Sequence, residues 1–250
     1  MISLSLLFAA IALPDLRHGG ASETSDSLQS NLAWIAAPTV GAVIAYFAMG
    51  ACAWHSLLLG GLVLATTGTW HGFRRKKRYG AALCSLAMGL SFAIVGNTLL
   101  GTEASLENIE PQIAALPWHD TDRSIDFYLL AASIMGMLAA TGNAIVRSVL
   151  LMASDASALE RSESRLRGGR YIGVLERYLI FSLALAGEPT AAALVISAKS
   201  IIRFPELSAR GQSTETLNDT DEITEYFLLG SLTSWTIALA PTALLLAIAY

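Results

Sequence analysis

Residues 74–101 read RRKKRYGAALCSLAMGLSFAIVGNTLLG, and this stretch decides the fold. Five consecutive cations, Arg74 to Arg78, give way at Tyr79 to a run with no ionisable acid or base before Glu103, Tyr79 and Cys84 aside. Residues 80–101 match the roughly 20 apolar residues that a helix needs to cross the hydrocarbon core of a bilayer. A basic block beside such a run reads as a cytoplasmic loop, because Lys and Arg are retained on that side. The block lies between apolar spans, so nucleic-acid binding is not needed to explain it.

Working outward, residues 55–72 form a second apolar span and residues 31–50 a third. The short connection from Gly50 to His55 predicts a tight helical hairpin. On the other side lies a polar loop, 102–126, with Glu103, Glu107, Glu110, Asp120, Asp122 and Asp126 against Arg123 alone. Residues 127–152 form another span, and a basic loop, 153–170, carries Arg161, Arg165, Arg167 and Arg170. Loops 73–79 and 153–170 therefore read as cytoplasmic and loop 102–126 as outside. Residues 226–249 form a last span after a polar loop at 205–224. Residues 2–13 read as a short hydrophobic helix that is retained, since no cation precedes it and no small-residue cleavage pattern follows.

Composition agrees. Of the 250 residues, 54% are hydrophobic and only 14% charged, against about 25% charged in a soluble domain. The net charge is −4 and the mean hydropathy +0.53. Cys52 and Cys84 have no partner spacing, which argues against a disulfide framework or zinc site. His18, His55, His71 and His119 are scattered, so neither a metal nor a haem cofactor is expected. Trp34, Trp54, Trp70 and Trp118 fall near span borders, as an interfacial aromatic belt would. Ser85, Gly89 and Ala93 make a small-residue stripe, as do Ala132, Gly136 and Ala140. The two stripes are expected to pack face to face.

Residues 171–204 are too long for one span and short for two, with a break at Gly187, Glu188 and Pro189. They read as a helical hairpin with its tip there, the alternative being one long kinked helix. Charges gather around this passage. Ionisable groups inside a membrane are costly and so point to function or to pairing. The candidate interface cluster is Arg147, Glu176, Arg177, Lys199, Arg203 and Glu225, supported by Asn143, Ser200, Tyr226 and Glu188. Lys199 and Arg203 share a helix face, with Glu176 and Glu225 as natural partners. Asn143 and Arg147 also share a face and are candidates to join the network. Glu188, at the tip, reads as a solvated turn residue. A clasp tying membrane elements together competes with a site for an ion or a lipid headgroup. No catalytic residue is assigned.

The C-terminal third carries three ordered strings: Gly169-Arg170-Tyr171-Ile172-Gly173-Val174-Leu175-Glu176-Arg177, then Ala198-Lys199-Ser200-Ile201-Ile202-Arg203-Phe204, then Glu225-Tyr226-Phe227-Leu228-Leu229-Gly230-Ser231-Leu232. Gly187 lies between the first two. These resemble the G-x-L-E-R, A-K-S-x-x-R-F and E-Y-x-L-I-G-T-L segments of an uncharacterised bacterial polytopic membrane-protein family, with Ser231 where that family usually has Thr. The resemblance covers roughly the last 80 residues. The amino-terminal two-thirds have no counterpart, and the histidine and aspartate with which that family opens are not seen. The resemblance implies a bacterial cytoplasmic membrane protein and supplies no activity.

The sequence thus predicts a single all-α membrane domain over 1–250, with N-terminal helices to 152 and a motif-bearing part from 171. Six or seven spans are expected, plus the N-terminal element. The expected role is a non-enzymatic membrane component that assembles with other membrane proteins or with lipids, including anionic headgroups. A small transporter or channel is the alternative, and an intramembrane lipid-modifying enzyme the second. Expected partners are the lipid bilayer and membrane proteins, with no nucleic acid.

Overall fold

The computed structural model describes residues 2–18, 36, 39–44, 53–100, 125–153, 169–210 and 217–249. Among these residues all regular structure is helical: α1 (Ile2–His18), α2 (Ala53–Arg75), α3 (Tyr79–Leu100), α4 (Ile125–Ala139), α5 (Thr141–Ala153), α6 (Gly169–Leu185), α7 (Pro189–Arg210) and α8 (Leu217–Ala249). Residues 39–44 are also helical. The all-α reading holds. The chain divides into two compact units, Met1–Thr141 and Gly142–Ile248.

In the first unit α1 packs against α4, and α2 against α3. Leu7, Phe8 and Ile11 on α1 are at most 2% exposed, and Leu130, Ile134 and Leu138 on α4 are fully buried. Both sets recur every three or four residues, so each helix buries one face. Gly89 of α3 faces Thr66 of α2, whose side chain occupies the space a Cβ would need. Gly60 of α2 stands in the same relation to Val43. The expected pairing of the two small-residue stripes is therefore corrected. The Gly89 stripe serves the α2–α3 contact. On α4, Ala132 is exposed and nothing lies near Gly136. A small-residue stripe permits close approach without naming a partner, and the short turn brings α2 to α3 first.

That turn has a defined chemistry. Lys77 N–H donates to the Arg74 carbonyl at 2.9 Å and Arg78 N–H to the Phe73 carbonyl at 2.9 Å. These are the paired bonds of a Schellman cap, which satisfies carbonyls left over at a helix end. Lys77 occupies its left-handed position, with φ 55°. The Arg78 guanidinium lies 5.9 Å from the Phe73 ring centre, supplying the side-chain contact that accompanies such a cap. Arg78 also accepts at its carbonyl from Ala82 N–H at 3.0 Å, which starts α3.

In the second unit α6 and α7 form the expected hairpin, packed against one another. The kinked-helix alternative is set aside, because the chain reverses at Ala186–Glu188. The same cap closes it: Gly187 N–H donates to Ala184 at 3.2 Å and Glu188 N–H to Leu183 at 2.9 Å. Gly187 has φ 82°. Pro189 then opens α7 at the first helical position, where its missing N–H costs nothing. Ile180, Ala192 and Ala238 form a small buried core, with Leu183, Val195, Ile196 and Trp235 packed around it, joining α6, α7 and α8.

Two expectations about spans need correction. Among the described residues one helix is long and apolar enough to cross a membrane, Phe227–Ala247; Asp126–Ala139 with Thr141–Ala153 is a second only if the break at Ala140 is counted within one span. The expected six or seven are not met. Helix α2 is diluted by His55, Ser56, Thr66, Thr67, Thr69 and His71, and α6 and α7 carry charges. Of the expected 31–50 span, residues 36 and 39–44 alone lie within the described residues. The loop expected at 205–224 is also shorter. Helix α7 continues through Pro205 to Arg210, and α8 begins at Leu217.

Candidate functional site

Each unit holds one buried ion centre. In the second unit it is built from the adjacent pair Glu176-Arg177 on α6, which meets the adjacent pair Ser234-Trp235 on α8. Arg177 is only 2% exposed. Its Nη1 donates to Ser234 Oγ at 3.1 Å and its Nη2 to Asn143 Oδ1 on α5. Gly142 makes room for it, and Gly173 lies beside it. A Cβ on Gly142 would lie 3.1 Å from Arg177 Nε and 3.3 Å from Cζ, and one on Gly173 would lie 3.6 Å from Nη1. The guanidinium therefore lies back along its own helix, over the preceding turn, as long helical side chains do.

Glu176 turns to other neighbours. Its Oε2 pairs with Lys199 Nζ across the hairpin, and its Oε1 accepts from Trp235 Nε1 at 3.4 Å. Residues 176 and 199 lie at matching distances on either side of the tip, so the hairpin register itself brings them together. Lys199 Nζ also lies 5.9 Å from the ring centres of Phe227 and Trp235, within cation–π range. The Glu176 side chain is 8% exposed and that of Lys199 is 25% exposed. Both carboxylate oxygens are thus engaged.

The predicted cluster is accordingly met in part. Glu176, Arg177, Lys199 and Asn143 come together. Asn143, expected to join the network, accepts from Arg177. Arg147 is half-buried on α5. Glu188 is exposed at the hairpin tip, which agrees with its reading as a turn residue. The side chains of Ser200, Arg203, Glu225 and Tyr226 lie outside the described residues.

Ser234 and Trp235 were not anticipated. A signal existed: Trp235 sits in the middle of the last apolar run and not at its border, and an indole N–H so placed must find an acceptor.

The second centre, in the first unit, was missed entirely. Asp15 on α1 is 2% exposed. It accepts from Trp70 Nε1 at 3.2 Å and pairs with Arg74 Nη1 at 3.0 Å. His71 Nε2 lies 3.8 Å from it. The Arg74 guanidinium stacks 5.1 Å from the Trp70 ring centre. Trp70, read as interfacial, is fully buried; Trp54 is 70% exposed. Trp34 and Trp118 lie outside the described residues. The missed signal was Asp15 itself, an acid directly after an apolar helix, with Trp70 and Arg74 spaced four apart on one face.

In both centres a cation and an indole N–H engage the carboxylate. Their chemistry is that of desolvated ion pairs completed by an indole N–H, which hold helices in register. No group of three or more metal-ligating side chains occurs among the described residues. The chain matches no family model, no curated protein and no solved structure.

Proposed function

We propose that the chain is an integral membrane protein, a non-enzymatic component of a bacterial cytoplasmic membrane that assembles with lipids or other membrane proteins. One observation carries the reading: many polar groups are buried while many large apolar side chains are exposed. Asp15, Ser56, Thr66, Thr67, Ser148, Arg177, Ser231, Ser234 and Thr242 are buried, whereas Leu57, Leu64, Met88, Phe92, Leu175, Leu194, Ile201 and Leu232 are each at least half exposed. Water-soluble surfaces rarely carry large apolar patches, whereas a lipid-facing surface is built of such side chains. Only 28% of the Phe227–Ala247 span is buried against the rest of the chain, leaving most of it for lipid.

The hydroxyls support this. Thr69, Ser91, Ser133, Ser197 and Thr236 sit at exposed positions, and each donates to the carbonyl four residues earlier at 2.6–2.9 Å. In lipid a hydroxyl finds no water, so it must be satisfied by its own helix. Helix association in lipid gains nothing from apolar burial and depends on close approach and polar pairs, which is the part the two ion centres would play. Engagement of each carboxylate by a cation and an indole favours an architectural clasp over a transport path or a lipid-modifying site. The orientation proposed is that of the charge pattern, with 73–79 and 153–170 cytoplasmic and 102–126 outside.

The test is extraction. In bacterial cells the tagged protein is expected in the membrane pellet, resistant to alkaline carbonate and released by detergent. Release by carbonate alone refutes the reading. In a cysteine-free background, a cysteine at position 76 is expected to be shielded from an impermeant maleimide added to whole cells, and one at 188 to be labelled.

A further inference from the structure

We propose that the α2–α3 turn binds the phosphate of an anionic phospholipid headgroup, an inference that rests on the membrane reading above. Of the five cations in the block, Arg74 is withdrawn into the ion pair with Asp15. Arg75, Lys76, Lys77 and Arg78 are all exposed, on a turn whose backbone is fixed by its own hydrogen bonds. Four cations on one reversal of the chain form a compact positive patch.

The flanking helices place the patch at headgroup depth. Trp54, 70% exposed, stands 21 residues before Arg75, about 30 Å along the helix at 1.5 Å per residue. That is roughly the thickness of the hydrocarbon core. Between these ends α2 exposes Leu57, Leu58 and Leu64, and α3 exposes Met88, Phe92 and Val95. An indole at one border and cations at the other is the arrangement of a hairpin whose tip meets phosphates.

Lys77 sharpens the argument. It holds a left-handed conformation that favours glycine, and the equivalent position of the other hairpin is Gly187. A lysine at this place gives up local stability and keeps a positive charge at the centre of the turn. Arg78 is steadied by the Phe73 ring, so its charge stays on the turn.

The experiment uses the purified full-length protein in neutral detergent, titrated with short-chain phosphatidylglycerol, with phosphatidylcholine, or with inorganic phosphate. Thermal unfolding reads the response. The midpoint is expected to rise with phosphatidylglycerol alone, and the rise to vanish at about 0.5 M salt, where exposed charges are screened. Lys77→Gly keeps the turn and is expected to weaken the response about fivefold, one cation's share. Replacing Arg75, Lys76 and Arg78 by Gln as well abolishes it. An equal rise with phosphatidylcholine, or an unchanged response in a folded four-site variant, overturns the proposal. A response to phosphate matching that to the lipid overturns the lipid assignment. If the four-site variant does not fold, the Lys77→Gly and salt arms decide. Retention in carbonate-washed membranes without phosphatidylglycerol binding refutes this inference alone; release by carbonate refutes the membrane reading beneath it.

Discussion

The hairpins α2–α3 and α6–α7 are closed by the same cap and use their charges differently. In α6–α7 the acid and the cation stand on opposite arms, Glu176 facing Lys199, and the indole of Trp235 arrives from α8. The pair closes the hairpin on itself. In α2–α3 the cation and the indole stand on one arm, Arg74 and Trp70, and the acid arrives from α1 as Asp15. There the pair anchors a distant helix and leaves the hairpin to hold itself by close packing at Gly89. One chemical kit, a carboxylate with a cation and an indole N–H, serves a local contact in one unit and a long-range contact in the other.

The largest effect is expected where one group joins most helices. Arg177→Ala removes the donor to half-buried Asn143 and buried Ser234 and leaves a cavity between their helices. Such losses cost a few kcal/mol, and about 3 kcal/mol is expected. Thermal unfolding in detergent should fall accordingly, with hydrogen exchange accelerating in α5 and α8. Arg177→Lys keeps the charge, cannot reach both acceptors as a planar fork does, and should recover part of the loss. An Arg177→Ala protein as stable as the parent would refute the clasp.

Asp15→Ala should come next, at about 2 kcal/mol, because it strands the Trp70 N–H and the Arg74 charge. Exchange should accelerate across α1 while the α6–α7 amides keep their protection. Asp15→Asn retains an acceptor and should cost less. Uniform acceleration in both units would break the contrast between a local and a long-range anchor.

How much of this was legible in the sequence varied by residue. Glu176, Arg177 and Lys199 were visible because a charge inside an apolar run is costly and so draws notice. The hairpin was visible because Gly187-Glu188-Pro189 carries its own stop and start signals. Asp15 was hidden, because the apolar stretch read as a helix covers residues 2–13, whereas α1 runs to His18. Trp70 was misplaced, because the same indole suits an interface or a buried acceptor, and only the position of Asp15 distinguishes the two. Ser234 had no signal, since serine is common in apolar helices. Partner choice was the general failure. Spacing gives the face of a helix but not what the tertiary fold sets against it, as the Gly89 stripe illustrates.

A smaller effect is expected from the Glu176–Lys199 pair. Lys199 keeps some exposure, so its attraction is partly screened. A double-mutant cycle with Glu176→Gln and Lys199→Met should give a coupling of about 1 kcal/mol. Lys199→Ala and Glu176→Ala should each lower the amount of protein in membranes. Normal abundance with a selectively lost activity would point to a functional site instead of a clasp.

The smallest effects test the caps, and they should differ in sign. Gly187 has φ 82°, and nothing lies within 4 Å of where a Cβ would sit. Gly187→Ala therefore meets no steric obstacle, and its whole cost is the left-handed backbone, about 1 kcal/mol. Lys77 already bears that cost, so Lys77→Gly should stabilise α2–α3 by up to about 1 kcal/mol, offset in part by the greater freedom of glycine in the unfolded chain. Unfolding of the two single variants should shift in opposite directions. If Lys77→Gly destabilises instead, the lysine side chain contributes more to the turn than its backbone strain removes, and the two caps are alike in hydrogen bonding but not in what holds them.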